Sequence, residues 1–530
     1  MRKPISKDLI ARILPNAKYT LAELEEKYPP RNLPDGAMVT RFAPSPTGFM
    51  HVGGLYSSLI GQKLALQTGG VWYLRIEDTD TAREKAGMVN LIIDSLKTFG
   101  VNADEGPVGG GNYGPYYQTE RKDIYHSVAA DLLARGLAYP CFLTQCEMDE
   151  IRENQKAAGL MTGIYGEYAK WRDAGDDEIL VRLSAGDVPS IRLYSTGDRN
   201  KKIWCKDEVR GSIEAPENED DIVLIKSTDG LPTYHFAHLC DDHFMRSTHI
   251  VRASEYLSTF PFHIQMFNMM GWNLPHYIHT TTLDKIDVET GGQRKLSKRK
   301  DPESSVGYFI ENGWPAEAVL EYIFNVLNPA YEEDKIKGRV KNIWESELKI
   351  KKLPKSGALF DMKKLEWWAR EFVATLPGAQ LAARVAAWAE QYGNDFEKSQ
   401  VADMNYLTQI LSIERTDPKR TRKDFYTWRQ TLSEIAFFFG DGQVDPCHMS
   451  HVTCHKEILK EFLSSFNIKD DKDLWWKRIT NIASGLGVKN GDAAMTLRVA
   501  VTDRTMTPDL YSVMQVMGDK RVRERIKKCL

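Results

Sequence analysis

Apolar residues in the first part of the chain come as short continuous runs followed by stretches of helical period. That is the pattern of buried strands feeding helices. Residues 37–43, Ala-Met-Val-Thr-Arg-Phe-Ala, predict a buried strand ended by Pro44 and Pro46. Gly53 and Gly54 open a helix over residues 55–67, carried by Leu59, Ile60, Leu64 and Leu66 and stopped by Gly69-Gly70. Residues 71–76 predict a second strand that ends in Glu77-Asp78-Thr79-Asp80, and residues 82–99 and 119–136 predict helices. Strand, helix, strand, helix implies a parallel doubly wound sheet, which binds ligands beyond the carboxyl ends of its strands. Residues 41–45 and 77–80 both lie at such ends.

The pattern then changes. Short strands at 178–183, 190–193 and 222–226 are split by charged loops, which predicts an inserted α+β domain. A helix begins at 234–239, a strand follows at 248–251 and a helix at 256–270. From about residue 306 the chain reads as helical to its end, with Trp-rich amphipathic segments. Residues 1–36 are polar, close with Pro34-Asp35-Gly36, and read as an N-terminal extension. The boundaries expected are thus 1–36, 37–136, 137–230, 231–305, 306–375 and 376–530, with no internal repeat or low-complexity tract.

Composition narrows the class. A length of 530 residues fits about three or four domains. With 42% hydrophobic and 27% charged residues, the chain has an ordinary globular balance. No apolar run approaches the roughly 20 residues of a membrane helix, and the start lacks the apolar core of a secretory signal. Seven scattered cysteines fit free thiols in a reducing compartment, so a cytoplasmic location is expected. At a net charge of −3, any surface for nucleic acid has to be local.

Two distant segments carry candidate chemistry. In Ser45-Pro-Thr-Gly-Phe-Met-His51-Val-Gly53-Gly54, the glycine pair would let a ligand approach the backbone. The helix N-terminus offers amides and positive dipole charge to phosphate, and His51 can donate to a phosphate oxygen. Far downstream, Arg294-Lys-Leu-Ser-Lys-Arg-Lys300 places five cations in seven residues. Lys295 and Lys298 suit a triphosphate whose pyrophosphate is leaving, and Gly291-Gly292 would let the loop close. Arg41 and Arg252 at strand ends, with Glu77 as an anion, match a substrate with two carboxylates and one ammonium. Tyr234 and His238, one helical turn apart, can share a face of that pocket.

These segments resemble one family. Arg41-Phe-Ala-Pro-Ser-Pro-Thr-Gly, running to His51-Val-Gly-Gly, resembles the first ATP motif of class I glutamyl-tRNA synthetases. Arg75-Ile-Glu-Asp-Thr-Asp80, Gly114-Pro-Tyr-Tyr-Gln-Thr-Glu-Arg121, Pro232-Thr-Tyr-His-Phe-Ala237 and Asp241-Asp-His-Phe-Met245 are similar to its later motifs, and Lys295-Leu-Ser-Lys-Arg299 to its second ATP motif. Six motifs in the family's order span about residues 38–330. The resemblance implies a Rossmann-like parallel-sheet catalytic domain, an inserted α+β domain that grips the tRNA acceptor end, and an all-helical C-terminal anticodon-binding region. It implies ATP held by Gly48, His51, Gly53, Gly54, Lys295, Ser297 and Lys298, with His51, Lys295 and Lys298 as the catalytic set. It implies L-glutamate held by Arg41, Ala43, Ser45, Glu77, Tyr234, His238, Arg252 and Tyr256. It further implies Mg²⁺ used with ATP, tRNA(Glu) as acceptor with tRNA(Gln) left open, and a monomer. Two alternatives are a glutaminyl-tRNA synthetase, which usually carries Glu-Pro-Asn-Gly in place of Ser45-Pro-Thr-Gly48, and a nucleotide-binding regulatory paralogue without catalysis.

The chain departs from the family in three places: at the zinc site, at Leu296, where the wider class often has methionine, and at His238, where relatives vary. Many bacterial relatives carry zinc in the inserted domain, starting from a Cys-x-Cys pair, whereas this chain has Cys141-Phe-Leu143 and no cysteine between Cys146 and Cys205. No structural zinc is expected there. The Cys447–His455 cluster holds five potential ligands in nine residues, a density that could bind zinc, but it matches no common finger spacing and reads first as the start of a helix after Pro446. Arg415, Lys419, Arg420, Arg422 and Lys423, followed by Phe425, Tyr426 and Trp428, could neutralise phosphate and stack on bases, or could be a solvated basic helix face over a buried aromatic one. Val522 and Ile526 within the basic run 520–528 predict an amphipathic terminal helix.

Overall fold

The computed structural model describes residues 3–83, 85–415, 421–440, 442, 444–445, 448 and 454–530. It divides into two compact units, residues 1–307 with 323–360, and residues 308–322 with 361–530. In the first unit, strand Val39–Phe42 pairs in parallel with Val71–Leu74, Val39 opposite Val71. Strand His249–Ala253 pairs in parallel with His276–Thr280. The two pairs meet where the Thr248 amide donates to the Val39 carbonyl at 2.9 Å. The carboxyl ends of Val39–Phe42, Val71–Leu74 and His249–Ala253 carry Arg41, Glu77 and Arg252.

The expected helix at 55–67 runs from Val52 to Thr68. It starts earlier because His51 is its cap: the Gly53 amide donates to His51 Nδ1 at 2.9 Å. Two other segments differ from their sequence readings. The predicted strand at 178–183 is part of helix Asp176–Ser184. Asp176, Asp177 and Glu178 place negative charge on its first turn, where the helix dipole favours it, and Ile179, Leu180 and Leu183 face the core at helical spacing. The helix predicted over 82–99 spans only Met88–Thr98.

The stretch 1–36, read as a polar extension, is packed. Helix Leu21–Lys27 opens on a capping box, with the Glu23 amide donating to Thr20 Oγ1 at 3.2 Å and the Thr20 amide to Glu23 Oε2 at 2.7 Å. Ile5, Leu9, Ile10, Leu14, Leu24 and Tyr28 are buried in one cluster with Leu132, Leu133 and Phe244. Fully burying one such side chain is worth about 1.5–3 kcal/mol. Few apolar residues in an otherwise polar segment suffice when all of them face one way.

Strands Ala138–Cys141, Ser190–Leu193 and Val223–Ile225 form a separate antiparallel sheet. The hairpin Lys202–Asp207 and Gly211–Pro216 leaves that sheet and adds to His276–Thr280, with Asp207 opposite Tyr277. The second unit is helical. Its core gathers Trp388, Leu407, Trp428, Leu432, Phe462, Trp475, Leu497 and Val513. Val522 and Ile526 are buried on one face of the terminal helix Asp519–Lys528, as their spacing predicts.

Candidate active site

A cavity of about 310 Å³ opens above the strand ends of the first unit. Of the residues expected from sequence, Arg41, Ala43, His51, Gly53, Gly54, Glu77, Tyr234, Arg252, Tyr256 and Lys295 line it. Sequence reasoning missed Tyr56, Ser57, Glu255 and the run Thr280–Leu283, which also line it. Threonines at a strand end carry no pattern that separates a pocket wall from an ordinary turn.

The two motifs meet in space. The Val306 amide donates to the Met50 carbonyl at 2.9 Å, His51 forms a bridge with Ser305, and Lys298 Nζ donates to the Phe49 carbonyl at 2.8 Å. Burial and the nearby Lys298 and Lys295 charges hold His51 down at about 4, against a hydrogen bond to the Leu296 backbone. His51 is therefore neutral near pH 7. With Nδ1 accepting from Gly53, its proton sits on Nε2. Burial also lowers Lys298 from the ordinary lysine value.

The glycine pair works differently from the sequence expectation of free amides. The Gly53 amide is taken by His51 Nδ1, and the Gly54 amide by the His51 carbonyl at 2.7 Å. What glycine supplies is space. A Cβ at 53 would lie 3.1 Å from His51 Nδ1, and one at 54 would lie 3.2 Å from Phe42 Cζ, crowding the cavity wall.

The basic loop is sorted by acids that the sequence reading overlooked. Arg294 is forked onto Asp301 at 2.6 and 2.8 Å, and Asp301 also accepts the Ser297 amide at 2.9 Å. Arg294 thus shapes the loop. Lys295 pairs with Glu255 at the exposed rim. Among the described residues, Lys298 has no carboxylate partner. Ser297 lies beside it in the loop and, like Gly48 and the exposed Ser45, is not on the cavity wall.

The two arginines differ sharply in their partners. Arg41 is forked onto the fully buried Asp242, Nε to Oδ1 at 3.0 Å and the second nitrogen to Oδ2 at 3.2 Å. Arg75 shares that carboxylate at 3.0 Å and reaches Glu77 at 3.2 Å. Burial opposes the Asp242 charge, but Arg41 and Arg75 together hold its pKa well below the usual carboxylate range. Burial pushes Glu77 up despite Arg75, so an arriving cation would find a carboxylate readily stabilised by it. Arg252 has only uncharged partners: Nε donates to His279 Nε2 at 2.9 Å, and the terminal nitrogens reach Tyr234 Oη at 3.4 Å and His263 Nδ1 at 3.3 Å.

His238 departs from its expected place. It is fully buried beneath the pocket, with Nδ1 against Asp242 and Nε2 2.8 Å from the Tyr277 hydroxyl. Its ring stacks on Tyr234, which stands between it and the cavity. One helical turn does put both on one face, but Tyr234 takes the outer position and His238 becomes a polar core residue.

In the second unit the basic stretch is largely tied down. Arg415 donates to the Val373 and Leu376 carbonyls, Arg422 pairs with Glu414 and Asp424, and Lys423 with Glu371. Trp428 is buried. Lys419 and Arg420 lie outside the described residues, as does most of the Cys447–His455 cluster. Among the described residues, no group of three or more His, Cys, Asp or Glu side chains is arranged to hold a metal, and no helix is long and apolar enough to cross a membrane.

Comparison with known proteins agrees with this geometry. Residues 37–367 match the family model "tRNA synthetases class I (E and Q), catalytic domain", and residues 380–530 match "Anticodon binding domain". The glutamate–tRNA ligase of Clostridium perfringens (strain SM101 / Type A) is 40% identical, covering 98% of both chains. That of Sorangium cellulosum (strain So ce56) is 39% identical, covering 96% of this chain and 97% of its own. The crystal structure of a glutamate tRNA ligase from Elizabethkingia meningosepticum CCUG26117 in complex with its amino acid superposes with a TM-score of 0.77 at 26% identity, over 93% of this chain and 98% of that one. The glutamate-tRNA synthetase of Elizabethkingia anophelis gives 0.75 at 27%, over 93% and 99%. With a class I catalytic-domain match over residues 37–367 and about 40% identity to such enzymes over nearly the whole of both chains, this chain belongs to the glutamate–tRNA ligase family of class I tRNA synthetases.

Proposed function

We propose that the chain is a glutamate–tRNA ligase: it activates L-glutamate with ATP and passes the glutamyl group to the 3′-terminal adenosine of tRNA(Glu). The observation that carries this reading is the single cavity in which His51, Gly53, Gly54 and Lys295 face Glu77 and the uncompensated Arg252. ATP lies along the His51–Gly54 wall, where the missing Cβ atoms let it approach. The glutamate α-carboxylate attacks the α-phosphorus, the bond to the bridging oxygen breaks, and pyrophosphate leaves. His51 Nε2, on leaving the Leu296 backbone, donates to a phosphate oxygen. Lys295 and Lys298 stabilise the charge that gathers on the leaving group. The terminal ribose hydroxyl then attacks the adenylate carbonyl and releases AMP.

Glu77 receives the substrate ammonium, within a pocket wall formed by Arg41, Ala43, Tyr234 and Tyr256. Arg252 takes the side-chain carboxylate, because a fork clamped on the reacting carboxylate would tie up the nucleophile. Mg²⁺ would be used with ATP, held by its phosphates. We assign the acceptor-end grip to residues 137–230 and the anticodon to residues 376–530, and read the enzyme as a cytoplasmic monomer. Charging assays with glutamate, ATP and purified tRNA(Glu) or tRNA(Gln) test the reading. Glutamylation of tRNA(Glu) is expected. Preferential charging with glutamine would overturn the substrate assignment, and absence of adenylate formation would favour a regulatory paralogue.

A further inference from the structure

Arg252 is 6% exposed and sits in the pocket wall, yet no carboxylate among the described residues lies within ion-pair distance of it. Tyr277 and Tyr256 place their rings 4.7 and 5.5 Å from its guanidinium carbon. Its hydrogen bonds fix the protons of its neighbours. Arginine can only donate. His279 Nε2 therefore accepts, and the His279 proton must be on Nδ1, which stands 2.8 Å from Asp207 Oδ2. A protonated His279 would turn an N–H toward the Nε–H of Arg252 and lose the bond.

Asp207 is 2% exposed and held from all sides. Its Oδ1 accepts the Val209 and Arg210 amides at 3.0 and 2.7 Å, and its Oδ2 also accepts the His279 amide at 3.0 Å. The carboxylate stays ionised but reaches Arg252 only through an imidazole. That arrangement orients the guanidinium without neutralising it at contact distance, and it leaves a second N–H on each terminal nitrogen for a ligand. On the other side His263 Nδ1 accepts from Arg252, and its Nε2 lies 3.2 Å from His235 Nδ1, with no carboxylate bonded behind it among the described residues.

We propose that His279, oriented by Asp207, is a positioning residue that presents Arg252 as an uncompensated fork to the side-chain carboxylate of the amino acid. The inference rests on the reading of Arg252 as that subsite. It also makes the hairpin Lys202–Asp207 part of the amino-acid site, because its last residue sets the imidazole.

The test is steady-state aminoacylation by the full chain with tRNA(Glu), comparing KM for glutamate with KM for ATP. His279→Leu removes the acceptor and should raise KM for glutamate about tenfold, the equivalent of one hydrogen bond to a charged group, with KM for ATP unchanged. His279→Gln restores an acceptor and should recover most of that loss. Asp207→Asn turns a donor toward His279 and should behave like His279→Leu, so it also serves if the leucine variant fails to fold. Parallel rises in both KM values, or no recovery with glutamine, would make the role merely structural and overturn the proposal. Arg252→Ala separates the two levels. If it leaves KM for glutamate unchanged, the subsite reading fails; if it raises KM while His279→Leu and Asp207→Asn do not, only the positioning role fails.

Discussion

Two walls of one cavity hold an arginine each, and the two are almost equally buried, Arg41 at 5% and Arg252 at 6%. On the first wall a carboxylate at contact distance takes up the charge: Asp242 is forked by Arg41 and shared with Arg75. On the second wall two imidazoles and a phenol hold the guanidinium and leave its charge for a ligand. Lys298 belongs with Arg252, bonded to a carbonyl and not to an acid, whereas Arg294 belongs with Arg41. The partner, not the burial, separates a cation neutralised by the fold from one whose charge no acid at contact distance takes up.

Breaking the first wall should have the largest effect. Asp242→Ala leaves the buried Arg41 without its acid and Arg75 with only Glu77 and Asp241, and should lower stability by about 3–5 kcal/mol, read by denaturant unfolding. Arg252→Ala should disturb folding far less but reduce kcat/KM for glutamate about a thousandfold, the upper range for losing a buried charged partner. Equal loss of stability in the two variants would erase the distinction between the walls. Lys298→Ala should cut the charging rate about a hundredfold, as for loss of one donor to developing charge; full activity would remove that loop from catalysis.

The neutral imidazoles give a subtler test. His51, His235 and His249 are held at about 4 and His238 at about 3, in each case chiefly by burial. A histidine lowered in the folded state is protonated first in the unfolded one. Its contribution is complete above about pH 6.5 and is lost as pH falls toward the folded value. Asp221, pushed up to about 6 by burial, works in the opposite sense. Unfolding near pH 5.5 should therefore take up protons on balance, and stability should fall on acidification from pH 7 to 5. A flat profile would mean that these imidazoles are not held neutral. The smallest effect belongs to the exposed rim pair of Lys295 and Glu255, where Glu255→Gln should change stability by less than about 1 kcal/mol.

Much of the cavity wall is legible in the sequence. Arg41, Glu77, Arg252, His51 and Tyr234 all line the cavity, because strand ends and helix starts can be located from apolar runs and glycines. His238 was misplaced because spacing gives a face but not depth along it. Asp301, which shapes the basic loop, was overlooked because a lone acid after a run of cations has no local signature. The helix at Asp176–Ser184 looked like a strand because a short apolar run carries either period. The polar segment 1–36 hid six core residues among charges.

By itself the sequence determined the strand–helix alternation at the start of the first unit, the His51–Gly54 and Lys295–Arg299 motifs and the inventory of charges, since these follow from periodicity and residue type along a local stretch. The tertiary structure alone decided how that inventory was divided. Asp242 lies 201 residues from Arg41, and Asp207 reaches Arg252 only through His279 on a neighbouring strand. Whether a buried cation is neutralised or left for a substrate depends on distances of about 3 Å between segments far apart in the chain, and no local pattern encodes those distances.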